Sequence, residues 1–385
     1  MIPRKQFDAY NKAVTNLSDG AARRIESGIW AWLQTDEGKA ASVAECREYA
    51  KGVMSGVIQG YDEAAASLAA QWYDKQAEDN HFKLPDAVTA TVYDPKRVDE
   101  TARYQAKKLV KGDLRGFAKY CGELGRDDVL RSLNETIIKN AGRDKKRGVR
   151  FARVPTGAET CTFCLMLASR GAVYHTRKTA GEFRHFHRRC DCKVVPGFGG
   201  DPDAELVEGI KPKELYLRYR ALEQIDSMDA ISAADREEFK SRAMTVDFSV
   251  LAGEKLGSVE YDKPRSLLEE HEKAGVDYLA LNGFNVKTVP EDPKAPANLD
   301  ISIDGALWEM KNLTNSASSA SNQVKRARIK WFKLGISQPM TCVFTNEGNK
   351  GSFDETCNAL DARRRRGEVF LVVSENGVVR VLKDK

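Results

Sequence analysis

Apolar positions return every three or four residues from Lys5 to about Lys139, in runs rich in Ala, Glu, Lys, Arg and Leu, and this spacing predicts helices. Ser18 and Asp19 read as a cap before AARRIESGIWAWLQ, which would place Ile25, Ile29 and Trp32 on one face. The segment SVAECREYAKGVMSGVIQGYDEAAASLAAQWY continues in the same style, with loops expected near Pro85 and near Asp94 and Pro95. The whole region reads as a helical bundle or arm. The basic stretch GRDKKRGVRFARVP, Gly142 to Pro155, changes the texture. Beyond it helical periodicity is scarce and Cys, His and Gly are frequent, as far as the linker-like PGFGGDPD, Pro196 to Asp203. Two helical patches follow, KPKELYLRYRALEQI and SAADREEFKSRAM, the second capped by Ser232 with Glu237 near its first turn. GEKLGSVEYDKPRS then reads as loop.

From Pro264 onward helix and strand alternate. A helix is expected over Ser266 to Leu281, a strand over Asn285 to Val289, and a hairpin about Asp304 and Gly305. Next come a helix over Ala320 to Leu334, a strand over Met340 to Thr345, a helix over Phe353 to Arg366, and a final hairpin about Asn376 and Gly377. The expected organisation is therefore multidomain: a helical region over 1–150, a small Cys/His module over 151–200, a helical linker over 201–263, and an α/β domain over 264–385.

Composition narrows the partners without naming them. Charged residues are 30% and hydrophobic ones 42% of the 385 residues, a globular balance and not a disordered one. The formal charge of +5 permits contact with nucleic acid but does not require it, so any such argument must come from local clusters. MIPRKQFDAYNKAV is charged and amphipathic, unlike a secretory signal, and no run reaches the ~20 apolar residues of a membrane span. A soluble protein made in a reducing cytosol is expected, so its eight cysteines argue for metal binding before disulfides.

NLDISIDGALWEMKN holds the sharpest chemistry. Asp-Gly flanked by alternating residues signals a two-residue hairpin turn, which pairs Ile303 with Ala306, Ile301 with Trp308 and Asp300 with Glu309. Alternation then gives Leu299, Ile301, Trp308 and Met310 one apolar face and Asp300, Glu309 and Lys311 the other. Two carboxylates opposed across strands repel by up to ~1 kcal/mol, and a hard divalent cation such as Mg²⁺ would offset that. Lys311, on the same side, could orient a water and stabilise an anionic transition state of phosphodiester hydrolysis. Glu272 is the candidate third acid, because Glu272, Val276, Leu279 and Gly283 share the buried side of their helix. A solvated amphipathic hairpin would present the same residue types.

The segment from Leu267 to Lys311 resembles the carboxy-terminal nuclease domains of contact-dependent growth inhibition toxins, especially the tRNase group. That family has a helix bearing a glutamate, a glycine turn and strand, then an Asp before a strand ending in W-E-x-K, places taken here by Glu272, Asp300, Glu309 and Lys311. The resemblance covers about a third of the chain, with Asn298-Leu299-Asp300 standing where Pro-Asp is commoner. It implies a PD-(D/E)xK fold, a metal-dependent endonuclease cleaving RNA, often tRNA, or DNA in the cytoplasm of a target cell, and a cognate immunity protein. In the following helix Val324, Ala327 and Trp331 should face inward, and Gln323, Arg326 and Lys330 outward toward substrate phosphates. Arg363 to Arg366 could do the same, or could be a solvated face.

Cys161-Thr-Phe-Cys164 is followed, after a 22-residue gap, by His187-Arg-Arg-Cys190-Asp-Cys192. Two close pairs separated by a loop suit tetrahedral, structural Zn²⁺, with Cys161, Cys164, His187 and Cys190 as ligands and Cys192 as the alternative. Reduced structural thiols are the other reading. Cys46, Cys121, Cys342 and Cys357 stand singly in amphipathic elements and read as core. VPTGAETCTFCLMLASRGAVYHT with the later FHRRCDC resembles the Mu F-type minor head proteins of tailed phages, over roughly residues 100–200 and most strongly over 153–196. That resemblance implies a virion protein beside portal and capsid proteins, made in the host cytoplasm and packaged, with room for a variable toxin domain at its carboxy end. No Ser-His or Cys-His constellation suggests a protease.

Overall fold

The computed structural model describes residues 1–157, 160–180, 192–229, 231–253, 255–314, 316–346 and 351–383. They form two compact units, Met1–Tyr216 and Leu217–Lys385. Among the described residues no helix is long and apolar enough to cross a membrane.

The first unit is built on long helices. These are α1 (Arg4–Leu33), α2 (Asp36–Ala40), α3 (Val43–Asp79), α4 (Pro95–Val110) and α5 (Leu114–Arg143). Ser18 does not cap a helix, because α1 runs straight through it and its hydroxyl donates back to the Thr15 carbonyl at 3.1 Å. Ile25, Ile29 and Leu33 form the buried stripe, while half-buried Trp32 stacks on Tyr49 with ring centroids 4.1 Å apart. Helices α1 and α5 approach closely at Gly122, where a Cβ would stand 2.6 Å from the Ala22 carbonyl oxygen. Ser42 opens α3 with a capping box to Glu45, and Asp94 caps α4 with Pro95 at its first position.

Between α3 and α4 the chain runs extended along α5. The amides of Val88, Ala90 and Val92 donate to Asn140 Oδ1 (2.9 Å), Thr136 Oγ1 (3.0 Å) and Ser132 Oγ (3.1 Å). Asn140 Nδ2 and Thr136 Oγ1 donate back to the Val88 and Ala90 carbonyls. This strap explains three otherwise puzzling buried polar side chains on α5, since each satisfies a backbone group that lacks a sheet partner.

The described part of the Cys/His segment does not stand apart. Strands β1 (Val149–Val154) and β2 (Lys193–Phe198) pair antiparallel, and their Val149, Phe151, Val194 and Val195 share one core with Tyr10, Trp72 and Ile137. Between them lies α6 (Thr162–Ala168).

Helix α7 (Pro212–Asp226) leads into the second unit, which continues with α8 (Ala233–Thr245), capped by Ser232 through the Asp235 amide. The region expected as a helical linker therefore supplies α8 and β3 (Val259–Tyr261), an edge of the sheet. Then follow α9 (Glu270–Leu281), β4 (Val286–Thr288), β5 (Ile301–Ile303), β6 (Ala306–Asn312), α10 (Ser316–Lys333), β7 (Thr341–Thr345), α11 (Phe353–Arg363), β8 (Val369–Val373) and β9 (Val379–Leu382). The seven strands lie in chain order, with β6, β7 and β8 parallel and the β4–β5–β6 and β8–β9 pairings antiparallel.

Each unit holds a buried cluster of charges. In the second, Arg265 and Asp277 are both buried and bond bidentately at 2.6 and 2.7 Å, with Arg242 Nε adding a third contact at 3.0 Å. Asp277→Ala removes the buried carboxylate and leaves the two guanidinium groups only the less buried Glu238 and Asp235; it should cost about 3–5 kcal/mol by denaturant titration, and a loss under about 1 kcal/mol would refute the reading. In the first unit, buried Asp62 lies beside buried Asp128, which is ion-paired to Arg97 and Arg131. Burial first, then the Asp128 charge, pushes Asp62 up to about 7. A carboxyl whose folded pKa exceeds its unfolded value of ~3.9 stabilises below that value and loses the contribution as pH climbs toward 7. Asp62→Asn should therefore gain stability over the native chain between pH 5 and pH 8, and melting curves with a constant difference across that range would contradict this.

Candidate active site

The hairpin forms as its sequence requires. Asp304 and Gly305 both take positive φ, 47° and 85°, and Ile303 faces Ala306, Ser302 faces Leu307 and Ile301 faces Trp308. Asp300 continues the ladder by donating its amide to the Trp308 carbonyl at 3.3 Å, and its Oδ2 accepts from the Met310 amide at 2.7 Å. Asp300 is thereby pinned beside Glu309.

Both faces of this hairpin are covered. In the parallel pairing of β6 with β7, Glu309 lies next to Cys342 and Lys311 next to Phe344. Cys342 and Phe344 pack with Val324, Ala327 and Trp331 of α10, so α10 roofs the face that carries the charges. Met310 points the other way, against α9 at Gly275, where a Cβ would lie 2.3 Å from Met310 Cε. Leu299, Ile301, Trp308 and Met310 are all buried as expected, but Leu299 joins the cluster under α10. The chemistry-bearing face is thus a second interior, and Glu309 has 0% exposure.

Burial dictates the electrostatics. Lys311 Nζ donates to Glu309 Oε1 and, at 2.8 Å, to the Met310 carbonyl. Lys330 of α10 reaches over the same pair of acids, its Nζ lying 2.6 Å from Glu309 Oε2 and 3.3 Å from Asp300 Oδ1. Lys330, expected to face outward with Gln323 and Arg326, turns inward instead; Arg326 is exposed and Gln323 half-buried. Burial first, then Asp300, pushes the Glu309 carboxyl up to about 7, against the pull of Lys311 and Lys330. Burial opposes the charge of Lys330, yet Asp300 and Glu309 outweigh it and hold its pKa above the ordinary lysine value.

Glu272 takes a separate position. Its carboxylate accepts from the Glu269 amide at 2.9 Å in the capping box of α9, and no hydrogen bond or ion pair joins it to Asp300 or Glu309. Lys263 links the two sides: burial lowers its pKa, but Glu291, Glu272 and Asp300 together raise it above the ordinary value. Sequence reasoning missed Lys263 and misplaced Lys330. The signal for Lys330 was its place beside Trp331, at the margin of the apolar stripe and after a hairpin carrying two acids.

In the first unit Cys161 caps α6 through its Sγ, which accepts from the Cys164 amide at 3.4 Å. Cys164 and Cys192 are buried together with Cys161 packed against them, and buried Arg153 donates to Cys164 Sγ at 3.4 Å. His187 and Cys190 lie outside the described residues. Among the described residues no group of three or more His, Cys, Asp or Glu is placed to hold a metal ion.

Architecture and site define a two-unit protein whose helical part precedes a mixed-sheet part with a buried carboxylate–lysine centre. The chain belongs to the VG15 protein family of phage proteins, whose model matches residues 1–222. That match ends within α7, as the first unit does. The chain is 22% identical to the gene 15 protein of Mycobacterium phage L5 over 259 residues, covering 53% of this chain and 81% of that protein. Among solved structures, the CdiA-CT/CdiI toxin and immunity complex from Burkholderia pseudomallei is similar at 16% identity, over 33% of this chain and 100% of that one, with a TM-score of 0.27, too slight to define a fold.

The geometry makes one electrostatic prediction that needs no ligand. A carboxyl-carbon NMR titration of the metal-free protein should give Glu309 a midpoint near 7. Lys330→Met should move it upward, and a midpoint in the ordinary carboxylate range in both proteins would contradict the buried arrangement.

Proposed function

We propose that this is a phage particle protein whose second unit is a metal-dependent nuclease of PD-(D/E)xK type, hydrolysing phosphodiester bonds in RNA, with tRNA the first substrate to test. The observation that carries the proposal is the convergence of Asp300, Glu309, Lys311 and Lys330: two acids meet at one cation, with a second ammonium at hand.

The residues fit a small hard cation. Lys330 Nζ stands where the two carboxylates converge, so a positive charge already occupies that point, and Mg²⁺ characteristically binds through one or two carboxylates with water and substrate phosphate completing its shell. Asp300 and Glu309 would hold it, with Glu272 the outer candidate across Lys263. When bound, such an ion supplies charge neutralisation at the phosphoryl oxygens and acidifies water. Asp300, fixed by the Met310 amide, keeps its remaining oxygen directed at the shared point. Lys311, anchored by Glu309 and the Met310 carbonyl, has a third N–H for a water aligned with the phosphorus and for the anionic transition state. Attack of that water forms a P–O bond, the ester bond to the leaving oxygen breaks, and a proton passes to that oxygen. Lys330, once released from the acids, is free to track a phosphate, the role sequence reasoning gave it with Gln323 and Arg326.

Membership of a phage protein family favours a second role in the particle, beside portal and capsid proteins, with the first unit as the structural part. A purely structural head protein, or a DNase that processes the genome, is the rival reading. A toxic effector delivered to a target-cell cytoplasm would also need an immunity protein. A structural Zn²⁺ in the first unit belongs to the same proposal, with Cys161, Cys164, His187 and Cys190 as ligands and Cys192 as the alternative; the packing of Cys161 beside Cys164 and the Arg153 donor to Cys164 support it.

Full-length protein with Mg²⁺ should cleave tRNA, and Glu309→Gln, Asp300→Asn or Lys311→Met should each lower the rate about 100-fold or more. Cleavage unchanged by all three would sink the site, and cleavage of duplex DNA in preference to RNA would favour genome processing. Elemental analysis of the full chain should find about one zinc per molecule, lost in Cys161→Ser with Cys164→Ser. Metal-free native protein would overturn that assignment.

A further inference from the structure

On the flank of α10 away from Lys330 an open groove of about 770 Å³ runs between α10 and the end of α11, lined by Lys325, Ile329, Phe332, Lys333, Arg363 and Arg365 among others. Phe332 follows Lys330 by two residues and so lies about 200° around the helix from it. The groove is therefore distinct from the carboxylate centre.

Two features mark it as built for a ligand. Phe332 is 86% exposed and Ile329 47%, an apolar pair that a helix surface has no folding reason to present side by side. Among the described residues, Lys325, Lys333 and Arg365 around them make no side-chain hydrogen bond or ion pair, and neither do neighbouring Arg326 and Arg366. No acidic residue lines the groove, and the Arg328 guanidinium is already matched by Glu368 at 2.6 Å. Glu368 is shared between Arg328 and Arg365, while Lys325 and Lys333 add like charges along the same groove, so a polyanion is the natural occupant.

We infer that this groove binds single-stranded RNA, with a splayed base stacked on Phe332 and phosphates on Lys325, Lys333 and Arg365. The inference deepens the nuclease reading and rests on it for the choice of nucleic acid. An exposed aromatic ring among cations offers a π-face plus backbone contacts, the combination that holds unstacked bases. A duplex hides its base faces from such a ring. An acidic protein partner is disfavoured, because lysine is depleted from the cores of protein interfaces.

The test measures binding and cleavage separately. Anisotropy of a fluorescein-labelled unstructured RNA 20-mer is followed with full-length protein in EDTA, on the native chain and on Glu309→Gln. Both should bind equally, a matched duplex more weakly. Phe332→Ala should weaken binding about tenfold, in line with ~1–3 kcal/mol per stacked base, and Phe332→Trp should restore it. Lys325→Ala with Lys333→Ala should weaken it further and lower the slope of log K against log salt by about 1.4. Circular dichroism confirms that these surface variants fold. Affinity unchanged in the Phe332 and lysine variants overturns the inference, as does polyglutamate competing as well as RNA, which would point to an acidic protein. If the native chain binds in this way but cleaves nothing, the nuclease reading falls while the groove stands. If it cleaves normally and the variants bind normally, the groove falls alone.

Discussion

A carboxylate with no exposed surface survives inside a sheet only if its charge is answered there, and in the second unit the answer comes from two lysines on different elements. Glu309 receives Lys311 from its own strand and Lys330 from the helix above. Removing a carboxylate from water costs several kcal/mol, and unpaired it would simply take up a proton. Burial has won part of that contest, since Glu309 is held near 7, and the lysines have won the rest. The Asp-Gly turn sets Asp300 against this group, strand parity sets Lys311 on its side, and the apolar stripe of α10 lowers Lys330 onto both. Each element would have another energetic optimum without the others.

Much of this was legible in the sequence where local rules suffice. Asp-Gly fixed the turn and therefore the register, because only that register lets both turn residues take positive φ. The helices and strands after Pro264 fell close to their expected places, since each is bounded by its own punctuation. What failed depended on contacts distant in the chain. Ser18 looked like a cap, but the core of the first unit keeps α1 continuous and leaves the hydroxyl to bond backward. Strands β1 and β2 could not be read at all, because nearly forty residues separate them and only pairing makes them strands. Residues 201–263 looked like a helical linker because β3 is three residues long and gains its identity from β4. Lys330 looked solvated because helical periodicity gives an angle and not what stands beneath it.

The division of the chain has a chemical counterpart. The family match ends in the same helix at which the first unit ends, and the carboxylate–lysine centre lies wholly in the second. Each unit has its own core and its own buried ion cluster, Asp128 with two arginines in one and Asp277 with two arginines in the other.

The strap along α5 carries a geometric consequence of its own. Its rungs come every second residue of an extended chain and every fourth residue of a helix, steps of about 6.6 and 6.0 Å. The two rulers differ by about 0.6 Å at each rung, and the three bonds absorb the mismatch by lengthening only from 2.9 to 3.1 Å. The chain leaves at that point, turning through Asp94 and Pro95 into α4. The near match of two backbone pitches thus keeps the strap in register, and a single-residue insertion between two rungs would put the rungs on either side of it out of phase with one another.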